Sequence, residues 1–431
     1  MIPVLKGQAA LDWIKAAQTG AAQAAGLQQN GLASTVSSIL KEVHEGGDDA
    51  LKQIAERLKD PAPRTIRIDS PFIARCISSL PETTKQTIEF AAGNIRRFAQ
   101  AIMDSLKPVR VQFAEYAAGL DLVPVERCAC YVPCGRYPLP STALMTAITA
   151  QVAGVKDIAL FTPALKPEIV FAGTLAGVSE FHELGGAQAI AAAAYGTESI
   201  GAADIIVGPG NAYVAEAKRQ VQGIVGIDML AGPSEIAVIA DGEGDPDWVA
   251  LDLLSQAEHD PDARAYLLTD SEQLADIVAA GLPAIASSVG APPFVSESLA
   301  RSAILVLPSL AECIWAANTI APEHLVLHVG EPEKIRGQLK NFGALFIGYC
   351  ATVPYGDYAA GPNHTLPTNR SARFSGGLTP LTFLRPQSWL DIKAPAKQLA
   401  RQTAAFARLE GLKAHEAAAA ARIDGAIALS N

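Results

Sequence analysis

The chain has 431 residues, roughly two to three times the length of one domain, and 49% hydrophobic against 18% charged residues leaves ample material for buried cores. Thirty-four basic and 44 acidic side chains give a formal net charge of −10, which argues against broad binding to nucleic acid or to an anionic membrane. No run approaches the ~18 apolar residues of a membrane-spanning helix. The start MIPVLKGQAALDW lacks the basic-then-apolar order of a signal peptide, and six scattered cysteines do not make a disulfide scaffold. A cytoplasmic enzyme of at least two domains is expected.

In chain order, the first 25 residues read as helical. DIALFT (157–162), a helix near 166–176, a helix from 187, DIIVG (204–208) and a helix from Asn211 form one α/β unit. EIAVIAD (235–241) opens a second. It is followed by a helix with Asp245 as N-cap, Pro246 at its first position and apolar residues at 249, 250, 253, 254 and 257, the spacing of one helical face. AYLLT (265–269), a helix from Ser271, AILVL (303–307), a helix around 309–319, LVLHV (325–329), a helix around 332–340 and ALFIG (344–348) continue the alternation. Such a rhythm implies largely parallel sheets with helices on both faces. The expected organisation is a helical segment 1–25, one α/β domain from 26–124 and 238–375, a second, 125–237, inserted in it, and a helical segment 376–431.

The chain has seven histidines, and four of them fall in short polar clusters. In LLSQAEHDPD, Gln256 and His259 are three apart at the end of a helix, on one face and near its carbonyl end. The alternative is a histidine that merely caps that end. IAPEHLVLH places Glu323 beside His324, two groups able to divide a proton transfer or to form a solvated loop pair. They precede their strand, whereas ligands in open α/β sheets gather beyond the carboxyl ends. His328 alternates along that strand and reads as packed or hydrogen-bonded. YGDYAAGPNHTLPT carries Asp357 and His364 in a loop dense in Gly and Pro, and EGLKAHEAA carries Glu410 and His415 on a helix. One Gln, one Asp and two His would make a zinc sphere of nitrogen and oxygen ligands.

Several signatures are missing. AEHD is not HExxH, AGPSE is not a GxSxG elbow, and VGPGNAY (207–213) lacks the third glycine of a dinucleotide fingerprint. CACYVPC (128–134) reads as ordinary buried or half-buried thiols.

YVPCGRYPLPSTALM, GGAQAIAAAAYGT, VGPGNAYVAEAKR, GIDMLAGPSEI, LLSQAEH, APEHL, GDYAAGPNHTLPT and LKAHEAA follow one another in the order seen in histidinol dehydrogenases. The chain resembles that family from about residue 30 to 425. The resemblance implies two Rossmann-like domains, 125–237 binding NAD and the other carrying substrate and zinc residues, in an intertwined homodimer. It implies oxidation of L-histidinol through histidinal to L-histidine, the last step of histidine biosynthesis, with two NAD and one zinc ion per subunit. By position, Gln256, His259, Asp357 and His415 match the metal ligands, with His415 and Glu410 supplied in trans. Glu323 and His324 match the acid/base pair: the histidine takes the hydroxyl proton, and the glutamate activates the water that hydrates the aldehyde. Ser234, His364 and Glu410 match further substrate-pocket positions beside those ligands and His324, and Tyr131, Gln188 and Asn211 match positions that contact NAD. Cys134 stands where the family has a glycine, MTAITAQVAGV replaces a commoner form with Asn and Pro, and the loop after FTPA is short. A relative acting on another small alcohol, such as a sulfonated diol, is the alternative.

Overall fold

The computed structural model describes residues 2–24, 31–134 and 138–423; residues 25–30, 135–137 within the YVPCGRYPLPSTALM string, and 424–431 of the expected C-terminal segment lie outside the described residues. The strands in chain order are β1 (Val4–Lys6), β2 (Arg64–Arg67), β3 (Val109–Gln112), β4 (Ala117–Pro124), β5 (Arg127–Tyr131), β6 (Asp157–Thr162), β7 (Glu180–Glu183), β8 (Ile205–Val207) and β9 (Gly226–Ile227). They continue with β10 (Glu235–Ala240), β11 (Arg264–Thr269), β12 (Ala303–Val306), β13 (His324–His328), β14 (Ala344–Ile347) and β15 (Leu384–Asp391). The helices that bear on function are α1 (Leu32–Leu58), α2 (Pro140–Ala153), α3 (Gly186–Tyr195), α4 (Ala212–Val221), α5 (Pro246–Ala257), α6 (Val353–Tyr358), α7 (Lys397–Leu409) and α8 (Lys413–Ala420). The chain forms two compact units, Met1–Met103 with Glu126–Phe383, and Asp104–Val125 with Leu384–Asn431.

The larger unit holds two six-stranded sheets, ordered β1-β12-β11-β10-β13-β14 and β2-β7-β6-β5-β8-β9. All pairs in the first are parallel, and only β2 runs antiparallel in the second. In each, the chain winds outward in one direction (β10, β11, β12; β5, β6, β7) and then crosses to the other side of its starting strand. That leaves two topological switch points, β10/β13 and β5/β8. The strands are apolar runs without alternation because helices cover both faces: every residue of β10 and of β13 is buried. Helix α5 forms as its start signals require. The Asp245 carboxylate accepts from Asp247 N (2.9 Å) and Trp248 N (3.4 Å), and Val249, Ala250, Leu253, Leu254 and Ala257 are all buried.

Four segments depart from expectation. The stretch 26–124 is expected with 238–375, yet Leu32, Val36, Leu40 and Val43 of α1 pack into the core of Ala129, Phe161 and Ile206, and β2 pairs with β7. The N-terminal segment adds β1 to the first sheet beside β12 ahead of its helix Gln8–Ala24. The segment after 376 is not wholly helical: β15 pairs with β4 over eight residues in a three-stranded antiparallel sheet of the smaller unit. Its sequence, LRPQSWLD, hides the strand, since an edge position tolerates Pro386 and half-exposed polar residues. The helix expected at 332–340 stops at Arg336.

His182, in β7, is buried, stacked on Phe161 at 4.4 Å and hydrogen-bonded through Nδ1 to the Thr65 hydroxyl (2.9 Å). Burial outweighs the nearby Glu180 and depresses its imidazole to about 4 from 6.5. The unfolded chain therefore takes up a proton that the folded one refuses. Stability is full above pH 6.5 and falls as pH drops toward 4, by about 3 kcal/mol. His182→Asn is expected to remove that share of the difference between urea unfolding free energies at pH 7 and pH 4. An unchanged difference would assign the acid sensitivity to another group.

Candidate active site

The first sheet gathers its polar residues at the amino ends of its strands. Ser234 precedes β10, Glu235 begins it, Glu323 precedes β13 and His324 begins it, directly beside Ile236 in register. Helix α5 leaves the carboxyl end of β10 and runs back to the start of β11. Gln256 and His259, at its far end, therefore return to the amino side. His259 sits just past the helix, in the turn closed by its N–H donating to Gln256 O (3.3 Å). The Glu323–His324 pair, which the general rule for open sheets would put on the wrong side of its strand, is thus where α5 ends. Ala321, fully buried with φ 52°, turns the chain at the end of the preceding helix so that Glu323 meets β10. A non-glycine residue in that left-handed region costs about 1 kcal/mol or more, a strain the site retains.

The Glu323 carboxylate accepts from the Glu235 N–H (3.0 Å), and the Ser234 side chain beside it helps to hold its charge. His324 has Glu323 Oε2 3.8 Å from Nδ1 and Asp357 Oδ1 3.5 Å from Nε2, and neither ring nitrogen has a hydrogen-bond partner of good geometry. Burial pushes the Glu323 carboxyl up to about 7, against the pull of His324. For His324, burial works downward but Glu323 and Asp357 prevail and raise it. Burial would lift Asp357, but the facing His324, His364 and His259 hold it below its usual value. A carboxyl tuned near neutrality beside an imidazole is suited to proton transfer in both directions.

His364 Nδ1 donates to Asp357 O (2.7 Å), and its Nε2 lies 3.4 Å from the Thr142 hydroxyl of α2. Gln256 is buried with neither end of its amide hydrogen-bonded. An unsatisfied buried amide is costly unless something binds it. With Asp357 and His259 it supplies the oxygen and nitrogen donors that suit zinc. Among the described residues no three His, Cys, Asp or Glu form a metal-holding group. The expected set contains an amide, and its fourth member lies in the other unit. There Glu410 and His415 are exposed, and they are not on one helix as expected: Glu410 caps α7, Gly411 turns the chain at φ 74°, and His415 belongs to α8.

The second sheet places Tyr131 at the carboxyl end of β5 and Asn211 just beyond β8, on the two sides of its switch point. Asn211 Oδ1 caps α4 by accepting from Tyr213 N and Val214 N (both 3.1 Å). The Tyr131 hydroxyl accepts from Gly186 N (3.1 Å) at the start of α3, and Gln188 donates to Asp60 (3.3 Å). A Cβ at Gly208 (φ 112°) would collide with the Tyr131 carbonyl, so the GPG turn lies flat against β5. Only a glycine lets the turn pack this closely on the strand. The turn is held by a buried ion pair. Lys218 bonds Asp228 and donates to Gly208 O (2.9 Å), while Asp228 accepts from Gly208 N (2.7 Å) and Met229 N (2.6 Å). Cys128 and Cys130 are buried, and burial raises the half-buried Cys134 thiol, keeping it protonated.

Sequence reasoning passed over Glu235, although GPSE was in view. Its buried carboxyl is pushed up to about 7 by burial and by Glu323, against the lowering pull of the Asn369 and Arg370 backbone, consecutive residues at φ 51° and 64°. It also passed over the Lys218–Asp228 pair, for which AEAKR and GIDML gave no signal beyond an apolar setting.

Two doubly wound sheets, one with a flat glycine turn at its switch point and one with a buried carboxylate–imidazole pair, make this an α/β dehydrogenase. The histidinol dehydrogenase family model matches residues 23–423. Histidinol dehydrogenase 1 of Nostoc sp. is 41% identical over 403 residues, 91% of this chain and 93% of that protein. Histidinol dehydrogenase of Methanocaldococcus jannaschii is 39% identical over 395 residues, 90% and 92% of the two chains. The crystal structure of histidinol dehydrogenase from Elizabethkingia anophelis superposes with a TM-score of 0.84 at 34% identity, covering 91% of this chain and 92% of that one. The chain belongs to the histidinol dehydrogenase family.

Proposed function

We propose that this chain oxidises L-histidinol to L-histidine through histidinal, reducing two NAD, as the last step of histidine biosynthesis. The observation that carries the reading is His324, held between Glu323 and Asp357 with both ring nitrogens unpartnered. NAD, when bound by the domain of Tyr131, Gln188 and Asn211, takes up hydride, and zinc, when bound, anchors the substrate's imidazole. Gln256, His259, Asp357 and His415 of the partner subunit would hold the metal, with Glu410 of the partner subunit on the substrate's ammonium, in a homodimer. Ser234 and His364 complete the pocket wall.

In the first oxidation His324 accepts the hydroxyl proton, which eases loss of hydride from the same carbon. Its ring is braced on both sides by carboxylates that favour the protonated form. In the second, Glu323 takes a proton from the water that adds to the aldehyde, so that the hydrate can give up its own hydride. Two groups with separate tasks explain why the pair is adjacent yet differently surrounded. Among the described residues no helix is long and apolar enough to cross a membrane.

The test is NADH formed per L-histidinol consumed, with and without a chelator, alongside a sulfonated diol. Two NADH per histidine, abolished by chelation and restored by zinc, is the expected result. Turnover of the diol with none of histidinol by the metal-replete protein would overturn the substrate assignment while keeping the dehydrogenase.

A further inference from the structure

Asp252 lies one turn before Gln256 on α5 and is buried. Its Oδ1 accepts a 2.6 Å hydrogen bond from the Thr352 hydroxyl, and its Oδ2 lies 3.3 Å from His328 Nε2. His328 closes the strand that His324 opens, and its Nε2 also lies 3.2 Å from the Ala351 carbonyl. The Ala351 carbonyl can only accept, so the Nε2 proton sits there, and Asp252 Oδ2 faces it without a hydrogen bond of good geometry. Thr352 is the N-cap of α6, the six-residue helix that carries Asp357. A threonine at that place ordinarily turns its hydroxyl to its own helix. Here it makes no such bond and reaches across to α5 instead. The preceding residue, Ala351, is tied to β13 by the same histidine.

A local rule set aside for a bond between two elements marks a spacing that matters. We propose that Asp252, Thr352 and His328 are positioning residues that lock α6 onto α5 and β13, and so fix Asp357 relative to Gln256 and His259 before the metal arrives. The inference rests on the metal site proposed above. Partners that orient metal ligands in this way change metal affinity by about 10- to 100-fold when lost. A brace that served only the fold would change the stability of the metal-free protein and leave its zinc affinity as it is.

The experiment is chelator competition for zinc with the full-length protein, together with melting of the metal-free form, for wild type, Thr352→Val, Thr352→Ser and His259→Asn. Thr352→Val is expected to bind zinc about 10- to 100-fold more weakly, beside the lower metal-free melting that loss of a bond to a buried carboxylate brings, and Thr352→Ser to regain wild-type affinity. If Thr352→Val fails to fold, Asp252→Asn serves. Its amide keeps an acceptor for Thr352 but sets N–H against the His328 N–H, and weaker zinc binding is again expected. Wild-type affinity in Thr352→Val or Asp252→Asn, with zinc lost from His259→Asn, overturns the brace and leaves the ligands standing. Wild-type affinity in His259→Asn overturns the ligand assignment, and the brace with it.

Discussion

His259→Asn is expected to lose metal and activity together, whereas Glu323→Gln keeps its metal and loses chiefly the second oxidation. His259 stands in the turn after α5, outside the helix ladder and exposed, so nothing in the fold requires an imidazole there. Its electrostatic partner is Asp357, and removing it takes a nitrogen donor from the proposed sphere without disturbing the core. Glu323 is the opposite case. It is buried, oriented by the Glu235 N–H, and lifted by burial to about 7. A glutamine amide in its place keeps an oxygen to accept from the Glu235 N–H in the same shape, but it cannot take a proton from water. General base catalysis contributes about 10²–10⁴-fold, so the aldehyde step should slow by that factor while the alcohol step is much less affected. The measurements are metal content by elemental analysis and NADH yield with an aldehyde trap present. Trapped aldehyde and one NADH per histidinol are expected from Glu323→Gln. Equal loss of metal in both variants would contradict the assignments.

What could be seen in the sequence follows from which forces act locally. β6, β10, β11, β12 and β13 declared themselves because a parallel strand buried on both faces is an unbroken apolar run. The cap of α5 was visible because Asp245 and Pro246 act within one turn. β15 was invisible because an edge strand of a half-exposed sheet needs neither a run nor an alternation, and RCACY of β5 is too short and small-sided to stand out. The partnership of α1 with the second sheet is a long-range choice among apolar faces, which no local pattern states. The candidate site shows the same division. Glu323–His324, Gln256–His259 and Asp357 with His364 each stood out as clusters, but their meeting depends on α5 returning to the amino side of its sheet. Polar neighbours were silent: Glu235 is one more residue of a strand, and Asp252 and Thr352 meet His328, which read only as packed or hydrogen-bonded, once β13, α5 and α6 are packed.

Lys218→Met should destabilise the protein by about 3–5 kcal/mol, the cost of stripping one partner from a buried ion pair. The side chains of Lys218 and Asp228 are almost wholly out of solvent, so no water replaces the ammonium. Met keeps the length and apolar stem of Lys but leaves the Asp228 charge with only two backbone N–H groups, from Gly208 and Met229, to balance it. The lost bond from Lys218 to the Gly208 carbonyl also frees the turn that lies against Tyr131. The KM for NAD should therefore rise more than kcat falls, since in the proposed reading the turn shapes the cofactor's seat and the proton chemistry lies at β13. Adding Asp228→Asn to Lys218→Met removes the uncompensated charge but keeps only one of the two backbone bonds, since the Gly208 and Met229 N–H groups meet different oxygens, and should restore part of the stability. Urea unfolding of the two single variants and the double variant closes the cycle. Additive losses would mean that the two residues do not act as a pair, and a loss below about 1 kcal/mol for Lys218→Met would mean that water or a side-chain shift neutralises Asp228.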